Sequence, residues 1–145
     1  AEQELVIDYR VGAAEDLERA GERFDIVLNM EVIEHVADPA AFLALLEKRL
    51  RPGGSLFVST LNRNLRAFLL AIVGAEYVLR LLPRGTHEFE RFIRPAELAG
   101  WSRACGLALV DIAGLKYDPF SDRCELTADV SVNYVAQLRR DGDIH

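Results

Sequence analysis

A chain of 145 residues fits one domain or a piece of one. Half of its residues are hydrophobic and 28% are charged, a soluble globular balance with enough apolar material for a core. The net charge of −6 argues against a nucleic-acid partner, which normally leaves a basic footprint.

The two cysteines, Cys105 and Cys124, stand outside any CxxC or Cys/His pattern and read as reduced thiols of a cytosolic protein. The N-terminus lacks a basic region followed by an apolar run, so no secretory signal is expected. The first residue is Ala, and the text is expected to start inside a domain, as a fragment or a trimmed piece.

In chain order, Leu5–Tyr9 is a short apolar run that predicts a strand. Ala13–Ala20 predicts a short helix ending near Gly21, and Phe24–Leu28 a buried strand. Pro39–Leu50 predicts a helix: Asp38 is a good cap, Pro39 is tolerated in the first turn, and Phe42, Leu46 and Leu50 recur every four residues. Arg51-Pro52-Gly53-Gly54 stops it, and Ser55–Leu61 predicts the next strand.

Strand and helix alternate over short connections, which predicts an α/β fold with a parallel sheet. Further on, Pro95–Cys105 predicts a helix closed by Gly106. Leu107–Leu115 and Val130–Leu138 predict two strands, joined through a turn at Asp118–Asp122 and therefore antiparallel or mixed at the sheet edge.

Between these halves, 14 of the 18 residues in 65–82 are hydrophobic. Arg66, Gly74, Glu76 and Arg80 interrupt the run, whereas a spanning helix needs about 20 largely uncharged residues. A buried or interfacial helix is expected. Arg63, Arg66, Arg80 and Arg84 flank it and suit anionic lipid head groups, while an ordinary core-covering helix is the alternative.

Glu31, Glu34 and His35 have i, i+3, i+4 spacing and share one face of a helical turn. Two carboxylates and an imidazole can ligate a divalent cation, Mg²⁺ being favoured by oxygen donors; a helix-terminal acidic pair beside a packed histidine is the alternative. Met30 follows a strand at the carboxyl end of the sheet, where ligands bind in open α/β folds, though it reads equally as core. Asn62 and Asn64 occupy another carboxyl-end loop, suited either to orienting a hydroxyl or to turn formation.

FDIVLNMEVIEHVADP followed by RPGGSLFVSTLNRN resembles the second half of the Rossmann-like class I methyltransferase sheet. STLNRN, GAEYVLRLLPRGTHEFERFIRPAEL and VNY are similar to the ubiquinone-biosynthesis O-methyltransferases, and the resemblance runs from about Leu5 to Gln137. It implies an S-adenosylmethionine-dependent enzyme that methylates a polyprenylated phenol or catechol.

The same resemblance sets Met30 against the cofactor, Ala14 and Glu15 at its adenine, and Mg²⁺ at Glu31, Glu34 and His35. Attack of a phenol oxygen on the donor methyl needs a base, for which His35 and His87 are candidates, His87 lying where a lid would sit.

The family's glycine-rich loop and the acidic residue ending its second strand have no counterpart here, so the sheet is expected to lack its first βαβ segment. A partial methyltransferase domain over 1–145 follows, with a lid-like or membrane-contacting insert at about 62–94. Its first strand would be left without a neighbour, and poor stability or self-association through an open edge is expected.

A homo-oligomer, other ubiquinone-pathway proteins and a cytoplasmic site at the inner face of the membrane are the expected company. A methyltransferase for another small acceptor and a non-catalytic, degenerate subunit are the alternatives.

Overall fold

The protein is described by a computed structural model that covers residues 6–14, 16, 20–62, 92–118 and 123–141. Five strands form one mixed sheet: β1 (Phe24–Met30), β2 (Leu50–Leu61), β3 (Leu107–Asp118), β4 (Arg123–Thr127) and β5 (Asn133–Arg140), in the order β1-β2-β5-β3-β4. β1 and β2 are parallel and are joined through helix α1 (Pro39–Arg49). β5 is antiparallel to both β2 and β3, and β4 closes the far edge against β3. A second helix, α2 (Pro95–Ala104), leads into β3.

α1 starts where its sequence dictates. Asp38 accepts the amide of Ala41 through Oδ1 at 3.0 Å, and Pro39 occupies the first turn without losing a needed donor. A cap of this kind stabilises a helix by about 1 kcal/mol. The chain then turns back through Pro-Gly-Gly. Asp25 alone on β1 is spanned by Arg51–Gly54 on β2, because the register jumps from Phe24↔Leu50 to Ile26↔Ser55.

Gly53 adopts φ +76° in this excursion. A Cβ on Gly54 would lie 2.9 Å from the Arg51 carbonyl and 3.0 Å from that of Asp25, so the turn closes against backbone that admits no side chain.

The core lies between one sheet face and the two helices. Leu43, Leu46 and Leu50 from α1 and its end meet Leu98 of α2 and the sheet residues Leu56, Val58, Leu107, Tyr134, Ala136 and Leu138. Each such large side chain contributes about 1.5–3 kcal/mol on burial. On the opposite face Ile26 and Leu28 of β1 remain 61% and 67% exposed. β1 pairs only with β2 among the described residues, so its outer edge is open.

The predicted strand at Leu5–Tyr9 is a correction. Leu5 lies outside the described residues, and residues 6–10 are irregular, with Val6, Ile7 and Tyr9 exposed. The run has strand composition, but among the described residues no neighbouring strand supplies its hydrogen bonds. The predicted helix at Ala13–Ala20 is seen at Ala14, Asp16 and Ala20, and its start is fixed by the Ala13 amide donating to Asp16 Oδ2 at 2.9 Å.

The antiparallel closing strands are present as expected. β4 is an addition, because RCELT is too short and too polar to register as a strand from periodicity. No helix among the described residues is long and apolar enough to cross a membrane. The apolar run 65–82, residues 63–91 of the insert around it and the tip of the β3–β4 turn lie outside the described residues.

Candidate active site

The carboxyl ends of β1 and β2 lie side by side because the strands are parallel, and the candidate site is built there. Met30, the last residue of β1, is partly exposed and pairs with Ser59 of β2. Ser59 is buried, as are Asn29 and Thr60 beside it.

At Glu31 the chain leaves β1 with φ +54°, a left-handed conformation that costs a non-glycine residue roughly 1–2 kcal/mol. Its amide donates to both the carbonyl (3.1 Å) and the hydroxyl (3.2 Å) of Ser59, and the Ser59 hydroxyl donates to Glu31 Oε1 at 2.7 Å.

This reversal feeds directly into a 3₁₀ turn at Ile33–His35. Ile33 and Glu34 point inward, Glu34 being only 4% exposed, and His35 points out to solvent. Glu34 therefore carries a carboxylate into the interior, where Oε2 accepts no hydrogen bond.

Glu31 as a residue is exposed, yet its carboxyl group turns back onto buried Ser59 and meets Glu34. Desolvation pushes the Glu31 carboxyl above its usual range. The Ser59 hydroxyl pulls the other way, and the neighbouring Glu34 charge adds to the rise. The fully buried Tyr134 stands close by and donates from its hydroxyl to the Ile93 carbonyl at 3.0 Å. Burial first, then the charges of Glu97, Glu34 and Glu31, hold this phenol well above its ordinary value and keep it protonated.

The residues singled out in the sequence are only partly brought together. Met30, Glu31 and Glu34 meet at one strand end. His35 follows them in the chain and is exposed, whereas Glu34 is buried. Among the described residues no cluster of three His, Cys, Asp or Glu side chains is arranged to hold a metal ion. Two carboxylates with an unpartnered oxygen remain as the donor set there.

Ala14 lines a cleft of about 490 Å³ with Asp38, Ala41, Phe42 and Leu45 of the start of α1 and its cap. Glu15, His87 and Asn64 lie outside the described residues. Asn62 is occupied structurally: its side-chain amide donates to the Val130 carbonyl and its backbone amide to Val132, each at 2.8 Å. Ser59 and Tyr134 were not among the sequence-derived candidates. The only signal was a pair of polar residues, Ser59-Thr60, ending an apolar strand.

A methyltransferase-domain family profile matches residues 4–112, and the chain belongs to that family. Its sheet is that of the class I methyltransferases. A SAM-dependent methyltransferase from Thermotoga maritima superposes with a TM-score of 0.63 at 19% identity, covering 90% of this chain and 62% of that one. Magnesium protoporphyrin IX methyltransferase from Synechocystis, solved with bound SAH, superposes with a TM-score of 0.54 at 15% identity, covering 83% and 47%.

Among curated proteins, the chain is 53% identical over 136 residues to a ubiquinone biosynthesis O-methyltransferase of Xylella fastidiosa strain M23, covering 93% of this chain and 55% of the relative. It is 48% identical over 141 residues to the protein of the same name from Pseudomonas aeruginosa, covering 97% and 61%. The chain thus spans somewhat over half the length of these relatives.

The raised Glu31 pKa has a stability consequence. The native state holds the Glu31 proton more tightly than the unfolded chain, whose value is 4.5. The stability this contributes is fully present below pH 4.5 and is lost as pH rises through the folded-state value. Glu31→Gln removes that loss. Urea midpoints measured from pH 4 to 8 should fall with pH in the native chain more than in the variant; parallel profiles would contradict the assignment.

Proposed function

We propose that the protein to which this chain belongs transfers a methyl group from S-adenosylmethionine to a hydroxyl of a polyprenylated phenol or catechol in ubiquinone biosynthesis. The observation that carries this reading is the near-50% identity to relatives of that name over almost the whole chain. The strand ends support it with a half-exposed Met30 and the small-walled cleft at Ala14, which suit a thioether-and-adenine ligand.

S-adenosylmethionine supplies an electrophilic methyl group, so the protein's tasks are to orient two ligands and to remove a proton. Met30 would line the adenine or sulfonium edge of the donor, and Ala14 with Glu15 would border the adenine, where a small side chain admits the ring. The acceptor hydroxyl has a pKa of about 10 and gives up its proton to a base; a positioned base contributes roughly 10²–10⁴-fold. His35, exposed next to the acid pair, and His87 take this role. The wall of Glu31 and Glu34 holds the acceptor hydroxyl close, and proximity of the two bound molecules contributes much of the remaining acceleration.

Mg²⁺ at Glu31 and Glu34, with His35 of the expected set exposed beside them, is the second reading, favoured by the unpartnered buried oxygen of Glu34. A cation there would stabilise the phenolate. On this reading MgCl₂ raises the thermal midpoint of the native chain and leaves that of Glu34→Gln unmoved, and an equal response of both chains would discard it.

The acceptor's polyprenyl tail resides in a bilayer, and the apolar run 65–82 with its flanking arginines suits contact with anionic lipid. Flotation with anionic liposomes should retain the native chain and lose a Leu69→Asp, Leu70→Asp variant; equal flotation sinks this part of the proposal. Self-association through the open edge of β1, or its coverage by another ubiquinone-pathway protein, belongs to the same proposal.

Donor binding is the direct test. Isothermal titration of S-adenosylhomocysteine should give binding to a longer chain that also carries the region of the Xylella relative not covered here, and weaker or no binding to the 145 residues alone. Absence of binding by both would favour a non-catalytic, methyltransferase-like subunit over the enzyme. Binding without turnover of a polyprenyl catechol would favour another small acceptor.

A further inference from the structure

We infer that Ser59 is a positioning residue of the site: it holds Glu31 in its left-handed backbone conformation and thereby sets both acidic side chains. The inference rests on reading the Glu31–Glu34 wall as part of the acceptor site. Three hydrogen bonds join the two residues, at 3.1, 3.2 and 2.7 Å. One hydroxyl has one proton and two lone pairs, so Ser59 Oγ is able to give its proton to the carboxyl while accepting the Glu31 amide. Ser59 is 1% exposed, so water does not compete for these bonds.

The choice of residue at position 31 is the second strand of the argument. A φ of +54° suits glycine, and Asn or Asp tolerate it better than a longer side chain does. A glutamate kept there accepts a strained backbone, and what it gains is a carboxyl turned back onto β2 beside Glu34. Strain of this kind persists only where neighbours over-determine it, and Ser59 supplies that determination. The reversal at Glu31 also opens the 3₁₀ turn that drops Glu34 into the interior and leaves His35 in solvent. Releasing the Ser59 bonds therefore disturbs the whole acidic wall, although Ser59 itself stands in a strand.

The test is a double-mutant cycle on thermal stability in the 145-residue chain, with Ser59→Ala, Glu31→Gly and the pair together. Ser59→Ala alone lowers the midpoint by roughly 3–6 °C. In the Glu31→Gly background the strain and the bond to the carboxyl are gone and only the bond from the amide to the hydroxyl remains, so the same change lowers it by less than half as much. Additive effects would overturn the inference, since a merely structural serine costs the same in both backgrounds.

Amide exchange gives an independent reading that does not require a thermal transition. The Glu31 amide keeps its bond to the Ser59 carbonyl, so its protection should fall in Ser59→Ala without vanishing and recover in Ser59→Thr, whose hydroxyl can remake both side-chain bonds, while that of Leu56 in mid-strand is unchanged. Equal loss at both amides, or at neither, would count against Ser59. The donor titration described above can fail while this coupling stands, and the coupling can fail while the donor binds, so the two claims are separable.

Discussion

The carboxyl-end architecture depends on the parallel pairing of β1 with β2. Parallel strands bring their carboxyl ends to the same side, and here Met30 and Ser59 are paired neighbours there. The pairing requires a crossover, which α1 supplies, and a return tight enough to restore the register. Gly54 packs against the carbonyls of Asp25 and Arg51 at distances that exclude a side chain, so the return works only with glycine. From that register follow the three hydrogen bonds between Ser59 and Glu31, the reversal of the chain, and the inward placement of Glu34.

The result is an interior more acidic than stability alone would favour. Glu31, Glu34 and Glu97 face the Tyr134 phenol, which answers with a single hydrogen bond to the Ile93 carbonyl. One buried oxygen of Glu34 has no hydrogen-bond donor, which is costly and uncommon in settled cores. Such local violations of folding rules are expected where a protein holds groups for chemistry rather than for packing.

The packing is one-sided among the described residues. Two helices cover one sheet face, from Leu43 and Leu46 across to Leu98, while Ile26 and Leu28 on the other remain exposed. Parallel strands are ordinarily buried on both faces, and β1 is the strand that departs most from that rule. The antiparallel half of the sheet is less demanding, since β3, β4 and β5 can leave one face to solvent. The curated relatives are longer than this chain, which spans 55% of one and 61% of another.

Much of the architecture was legible in the residues. Asp38-Pro39 announced α1, Pro-Gly-Gly its return, and apolar runs the parallel pair, because caps, turns and strand composition are local properties written in short stretches of chain; the burial expected for Phe24–Leu28 is not found, since Ile26 and Leu28 are exposed. Methyltransferase membership was legible for the same reason, in motifs contiguous in sequence. The tertiary structure alone decided the rest. Leu5–Tyr9 has a strand's composition, yet a strand exists only beside another, and its described part has none. Glu31, Glu34 and His35 have a helix's spacing, but the left-handed turn held by Ser59 sends Glu34 inward and His35 outward. Asn62 was open to a ligand or to a turn, and it is bonded to residues 130 and 132. For Glu31 and Asn62 the deciding partner lies in a distant segment, up to 70 positions away, and no periodicity within a segment reports on it.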